Sequence, residues 1–390
     1  MNPVHTYYGA ADQFRADSAR RLGDEALQAL DTHAPDAASF AAVVGWRPDS
    51  AALYDRVREK LQRQPVEDFR LDFEDGYGIR PDDEEDATAK AAAAQVAKAL
   101  ADGTLPAGIG LRIKQFTPPF RRRARRTLSL FLSTLLERTG GVLPPNFVVT
   151  LPKVVTPKQA GALATVLAQA ERRYQLARNA LKCELMIEAP QSLIGPDGRS
   201  PLPRLVRAAK GRCVGVPLGV YDFTASLGIV PAEQRMRHPA CDAARQMMQI
   251  GLATTGVALS DGGTNVLPVG DRDAVHRAWR LHYDDVRHSL MNAYYQGWDL
   301  HPAQLVTRYA AVFSFFRESL ESASRRLKAL VKTQAQATAA GGVADDAATG
   351  RALFNFFLRG INSGAFSEAD LSATGLTLAE LRSGANPASQ

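Results

Sequence analysis

Five short apolar runs, each closed by charged residues, leave this chain few folds to choose from. The first four are Phe69-Arg70-Leu71-Asp72-Phe73-Glu74-Asp75-Gly76, Gly110-Leu111-Arg112-Ile113-Lys114, Phe147-Val148-Val149-Thr150-Leu151-Pro152-Lys153 and Glu184-Leu185-Met186-Ile187-Glu188. The fifth, Cys213-Val214-Gly215-Val216, leads into the loop Gly219-Val220-Tyr221-Asp222-Phe223. Each run has strand length, and intervening segments such as 158–177 and 203–209 read as helices. Strands alternating with helices build a parallel sheet. Further strand-like segments at 4–8, 257–259 and around 297–302 bring the count to eight. That predicts an α/β fold, a (β/α)8 TIM barrel with a C-terminal helical appendage, over an open doubly wound sheet. In such a barrel the strand ends share one rim, so the closing charges converge on one cavity.

Punctuation between the strands is consistent with helices. Asp49-Ser50 suits the cap of a helix carrying Leu53, Val57 and Leu61. The acidic segment 81–86 places negative charge at the start of a helix over 87–100, where the macrodipole favours it. Beyond Leu305 the pattern is helical only, with an amphipathic stretch at 309–332, an Ala/Thr/Gly-rich linker at 333–342 and a helix at 347–359. The expected division is a barrel over 1–305 and a helical extension over 306–390.

A chain of 390 residues can bury a full core. No apolar run approaches the roughly 18–20 residues that cross a bilayer. Met1-Asn2-Pro3-Val4-His5 lacks the basic start and apolar core of a secretory signal, so a cytoplasmic protein without a membrane partner is expected. Cys183, Cys213 and Cys241 are too scattered for a disulfide framework or a Cys-x-x-Cys metal site. The net charge of +6 suits anionic ligands and does not specify nucleic acid.

Glu188 and Asp222 each follow an apolar strand and are the expected metal ligands. Hard cations such as Mg²⁺ take oxygen ligands and keep several waters, so two carboxylates from adjacent strands suffice. Arg112, at the end of the third strand, can clamp a carboxylate and offset charge on an enolate. Glu74 and Asp75 are the expected partners of that arginine, or hold metal-bound water. Lys153 is a second rim cation, for substrate binding more than for a Schiff base, which needs a lysine of depressed pKa. His301, in His301-Pro302, can be a general base or a satisfied rim histidine. The run Arg121-Arg122-Arg123-Ala124-Arg125-Arg126 reads as a solvated helix face, with nucleic acid or the phosphates of coenzyme A as alternative partners.

Taken in order, these motifs resemble the citrate lyase beta-subunit-like group of the HpcH/HpaI aldolase family, within the phosphoenolpyruvate/pyruvate barrel superfamily. The resemblance rests on Leu71-Asp72-Phe73-Glu74-Asp75-Gly76, Leu111-Arg112-Ile113, Leu151-Pro152-Lys153-Val154 and Ile187-Glu188-Ala189. It continues through Gly219-Val220-Tyr221-Asp222-Phe223 and Leu227-Gly228 to His301-Pro302-Ala303-Gln304. It implies a Mg²⁺-dependent lyase or condensing enzyme that works through an enolate. In that reading Glu188 and Asp222 match the metal ligands, Arg112 the substrate arginine, and Glu74 and Asp75 its supports. Relatives act on 3-hydroxyacyl-CoA esters or 2-keto-3-hydroxy acids and commonly form trimers or larger homo-oligomers. The chain departs from the pattern in an added segment at 195–201, in Lys114-Gln115 where asparagine is usual, and in the unfamiliar stretch 238–295. The lid segment that usually follows the His-Pro motif is missing, so a divergent branch is implied.

The function expected is a metal-dependent carbon–carbon lyase or aldolase acting on a 2-keto acid or a 3-hydroxyacyl-CoA-type substrate, with Mg²⁺ or Mn²⁺. A metal-bound hydroxide, His301, Asp345 and Asp346 are the alternatives for the general base. The rivals are phosphoryl or C–P chemistry on phosphoenolpyruvate-type substrates, and a catalytically silent barrel that binds a metabolite or nucleic acid.

Overall fold

The structure, a computed structural model, describes residues 3–46, 51–339 and 347–385. Strand β1 (His5–Ala10) precedes helices α1 (Ser18–His33), α2 (Ala37–Val44) and α3 (Ala51–Arg63). Strand and helix then alternate through β2 (Asp68–Asp72), α4 (Asp82–Asp102), β3 (Gly108–Arg112), α5 (Arg121–Arg138), β4 (Phe147–Leu151) and α6 (Pro157–Arg173). Next come β5 (Lys182–Leu185), α7 (Leu202–Ala208), β6 (Cys213–Pro217), α8 (Val220–Ser226) and α9 (Pro239–Leu252). The series continues with β7 (Ala258–Ser260), α10 (Arg272–Met291), β8 (Gly297–Asp299), α11 (Pro302–Ala339), α12 (Ala347–Ser363) and α13 (Leu378–Ala385).

The strands form one sheet of eight in the order β7-β6-β5-β4-β3-β2-β1-β8, with every neighbouring pair parallel. Two backbone bonds bridge the remaining side: Asp261 N–H donates to Gln296 O at 2.8 Å, and Trp298 N–H to Gly262 O at 3.2 Å. The chain is therefore the (β/α)8 barrel that its strand–helix alternation predicts.

Strand β2 shows how sequence sets direction. Phe69 and Leu71 belong to the apolar core, and Phe73 continues that pattern just past the strand. On the opposite face, alternate residues Asp68, Arg70 and Asp72 join buried charge pairs. Arg70 pairs with Glu184 of β5 at 2.9 Å and with Asp68, while Thr150 of β4 donates to Glu184 at 2.7 Å. The barrel interior is thus filled by matched charges, and its topmost layer is Asp72 with Arg112.

Several expected boundaries shift. Residues 219–223, read as a loop, open α8, which places Asp222 in the first turn of a helix. Residues 333–339, read as linker, continue α11, in keeping with the helix propensity of its Ala and Gln residues. The unfamiliar stretch 238–295 holds α9, β7 and α10. Asp49-Ser50, Asp345 and Asp346 lie outside the described residues. Helix α11 packs on α1, α3 and α10, and Phe316 meets Phe356 of α12 at a centroid distance of 5.4 Å.

One glycine fixes the spacing beneath the site. A Cβ at Gly110 of β3 would lie 1.9 Å from the Val148 carbonyl oxygen of β4. Gly110→Ala is expected to force these strands apart and cost about 3 kcal/mol or more. The urea unfolding midpoint measures it; an unchanged midpoint would show that β3 and β4 are not this close.

Candidate active site

At the carboxyl end of the barrel a cavity of about 330 Å³ is lined by Glu74, Asp75, Lys114, Gln115, Lys153 and Asp222, among others. Behind this wall lie Arg112 and Glu188, both almost fully buried. Arg112 stands directly opposite Asp72 in the β2–β3 register. Its Nε donates to Asp72 Oδ1 at 2.7 Å and its Nη2 to Oδ2 at 2.5 Å, a bidentate clamp. Glu74 and Asp75 sit farther off, each 3.6 Å from Nη1. The main partner of Arg112 is therefore Asp72, and the Tyr8 ring lies 5.1 Å below the guanidinium. Asp72 escaped the sequence reading, although the alternation Asp68-x-Arg70-x-Asp72-x-Glu74 puts every second residue of the run on one face.

Lys153 ties the cluster together. Its Nζ donates to Glu74 Oε1 at 2.7 Å and to Asp75 Oδ1 at 3.0 Å, and lies 3.3 Å from Asp222 Oδ2. Its backbone takes φ of 53°, a left-handed conformation that costs a non-glycine residue about 1–2 kcal/mol. In that conformation its own N–H donates to Glu188 Oε2 at 2.6 Å. Burial disfavours the ammonium, yet the charges of Glu188 and Glu74 outweigh it and raise the pKa. A lysine held charged lacks the depressed pKa that a Schiff-base nucleophile needs.

Glu188 has the least ordinary surroundings. Its second oxygen, Oε1, is buried without a hydrogen-bond partner among the described residues. A Cβ at Gly219 would fall 2.3 Å from Glu188 Cγ, so glycine between β6 and α8 lets the chain pass this side chain. Burial pushes the Glu188 carboxyl up to about 8, with Lys153 and Arg112 opposing the rise. Burial, and then the hydrogen bond with Asp75, push Glu74 up to about 7. Asp72, Glu74, Asp75, Glu188 and Asp222 outnumber Arg112 and Lys153 here, and the two raised carboxyls are how the site carries that excess.

Oxygens of Asp75, Glu188 and Asp222 lie within 4.8 Å of one another. Three hard oxygen donors at this spacing, one of them buried and unmatched, fit a divalent cation. Sequence reasoning singled out Glu188 and Asp222; the structure adds Asp75, which had been read as a support for Arg112. His301 is not drawn into the cavity wall. Its Nδ1 accepts from Ala303 N–H at 3.2 Å at the start of α11, and burial lowers its pKa.

Lys114 is also buried, but it serves the frame. Its Nζ donates to Phe73 O at 2.7 Å, Gly78 O at 3.0 Å and Glu85 at 2.8 Å, which fastens the β2–α4 loop. The arginine run opens α5 and meets the acidic start of α4. Arg123 is buried against Asp86 at 2.5 Å, Arg126 also pairs with Asp86, and the exposed Arg122 meets Asp82 at 3.1 Å. Two segments that looked like separate surface charges neutralise each other in part.

Fold and site define a parallel (β/α)8 barrel with a carboxylate-rich centre at the carboxyl ends of its strands. Residues 1–389 match the family described as a domain of unknown function, DUF6986, and the chain belongs to that family. A search of curated proteins gives no match. Among solved structures the chain is similar to a citrate lyase from Burkholderia xenovorans LB400, at 20% identity and a TM-score of 0.58, over 84% of this chain and 93% of that one. It is also similar to the lead(II) complex of malate synthase from Haloferax volcanii, at 16% identity and a TM-score of 0.52, over 80% of this chain and 72% of that one. At these identities the likeness is one of fold.

The Glu188 environment gives a pH test. An acid whose pKa is near 8 when folded and 4.5 when unfolded holds its proton more tightly in the native state. Its contribution to stability is therefore present in acid and lost as pH rises from about 4.5 to about 8. Glu188→Gln cannot ionise, so in EDTA the variant should gain on the wild type between about pH 5 and about pH 8. Denaturant unfolding at several pH values measures the difference; a pH-independent difference would contradict the buried, unmatched carboxyl.

Proposed function

We propose that this chain is a divalent-cation-dependent carbon–carbon lyase, or its condensing counterpart, related to the HpcH/HpaI and citrate lyase beta-like enzymes. The observation that carries the reading is the meeting of Asp75, Glu188 and Asp222 around one point, with Glu188 Oε1 unmatched. Glu188 and Asp222, with Asp75, are the residues that would hold Mg²⁺ or Mn²⁺. Such an ion supplies Lewis acidity toward the carbonyl and carboxylate of a 2-keto acid.

The chain's own residues supply the rest. Asp72 fixes the plane of Arg112 so that the guanidinium is preorganised for negative charge developing on substrate oxygen as an enolate forms. Glu188 and Glu74 keep Lys153 charged, and Glu74 and Asp75 hold its ammonium in place. A bound divalent cation would offset the excess of acids and leave Lys153 and Arg112 to meet an anionic substrate. The raised pKa of Glu74 makes it the group beside the cavity best suited to exchange a proton near neutral pH. A 2-keto acid or a 3-hydroxyacyl-CoA-type ester is the substrate class. The order of motifs over residues 71–304, and likeness of fold to a citrate lyase and a malate synthase, support the assignment. A homo-oligomer is part of the proposal.

Thermal-shift and calorimetric screening of pyruvate, oxaloacetate, glyoxylate and acyl-CoA esters tests it, each with and without Mg²⁺. Stabilisation by at least one of these is expected only with the metal. Glu188→Gln or Asp222→Asn should weaken Mg²⁺ by more than the about 10–100-fold that loss of an outer partner costs. Full activity and unchanged Mg²⁺ affinity in either variant would overturn the assignment.

A further inference from the structure

The opposite mouth of the barrel holds a larger cavity that the proposed chemistry does not use. It encloses about 600 Å³, within the range of roughly 300–1,000 Å³ typical of small-molecule sites. Its floor is the amino-terminal rim of the barrel, with Val4 ahead of β1 and Val257 ahead of β7. Leu252 of α9 and Phe316 of α11 form much of its apolar wall. Tyr295, just before β8, and Arg359 of α12 complete it. The site described above lies beyond the other ends of the same strands.

Arg359 sets this cavity apart. Its guanidinium sits 4.0 Å from the centre of the Tyr295 ring, and that ring stacks in turn on Phe316 at 6.3 Å. Among the described residues no carboxylate pairs with Arg359, and the residues lining the cavity include no Asp or Glu. Arg359 is half-buried, and the fully buried guanidiniums of the fold are treated differently. Arg70 has Glu184, Arg112 has Asp72, Arg212 has Glu171, Arg245 has Asp261 and Arg308 has Asp299. Burial lowers the pKa of Arg359, the cost of a cation withdrawn from water without a counter-ion. Stacking on an aromatic face offsets part of that cost and holds the guanidinium plane at the cavity wall. Among the described residues the charge itself stays unmatched.

The geometry points to a second ligand site at the amino-terminal mouth of the barrel, which takes a small organic monoanion: a carboxylate with an aliphatic or aromatic body. One cation sets the charge of the ligand at one, and the apolar wall sets the character of its body. The inference does not depend on the lyase reading, because none of the metal-centre residues lines this cavity.

The test uses benzoate and octanoate, which have no keto group with which to chelate a metal, and their neutral amides. Titrations of the full chain in EDTA, followed by calorimetry or ligand-observed NMR, should show carboxylate binding that weakens as salt rises. The amides should bind at least about tenfold more weakly, a difference of about 1.4 kcal/mol. Arg359→Met should lose about tenfold or more for the carboxylates, whereas Glu188→Gln should bind them as the wild type does. Equal affinity for acid and amide would overturn the proposal, as would undiminished binding in a folded Arg359→Met or no carboxylate binding at about 10 mM. Should Arg359→Met fail to fold, the acid-against-amide comparison on wild-type protein decides, with shifts of the Tyr295 ring protons required alongside binding.

Discussion

A carboxyl group sealed from water, with one oxygen held by a backbone N–H and the other without a partner among the described residues, is the constraint around which this barrel's upper end is built. Glu188 can occupy that position only because Gly219 leaves room for it and Lys153 turns into a left-handed conformation to reach it. Leaving a buried acceptor unmatched costs about 1–3 kcal/mol, and a strained lysine adds to that. Such costs gather where a site must receive something from outside. The neighbouring acids sharpen the point, since Lys153 and Arg112 cannot balance all of them, and the site answers with two carboxyls whose pKa values are raised.

The lower layers of the barrel make the same chemistry rigid. Arg70 with Asp68 and Glu184 occupies the middle, and Asp72 with Arg112 the level above. Buried ion pairs of this kind add little net stability compared with apolar packing, but removing one member is expensive. Their effect is to fix where each guanidinium lies. Helices surround this column, and α11 and α12 lend Phe316 and Arg359 to the cavity at its other mouth. There, among the described residues, the rule of matched charges lapses at Arg359, at the opposite end of the barrel from the carboxylate centre.

Much of this was legible from the residues in order. The run 147–151 is strand β4 with the same limits, and the strands around Arg70, Arg112 and Glu184 fall within a residue or two of expectation. Long apolar runs of strand length, bounded by charge, leave little ambiguity. That Glu188 and Asp222 come to one place was readable because each sits past the end of such a run. The partner of Arg112 was not, because the choice among Asp72, Glu74 and Asp75 depends on strand register, and register is a property of two strands together. The same holds for the arginines at 121–126, whose neutralisation by Asp82 and Asp86 appears only when α4 and α5 lie side by side. Strands β7 and β8 are too short to show a period, and helix α10 between them is correspondingly hard to place from sequence. Arg359 looked like any helical arginine until Tyr295 and the barrel rim closed around it.

The most direct measurement is anomalous diffraction from crystals grown with Mn²⁺. A single strong peak is expected between the carboxylates of Asp75, Glu188 and Asp222, with metal–oxygen distances of about 2.1–2.2 Å, near the short contacts of Mg²⁺, and with Lys153 Nζ drawn away from Asp222. Crystals that show no peak there at millimolar Mn²⁺, with Lys153 Nζ still beside Asp75 and Asp222, would contradict the account.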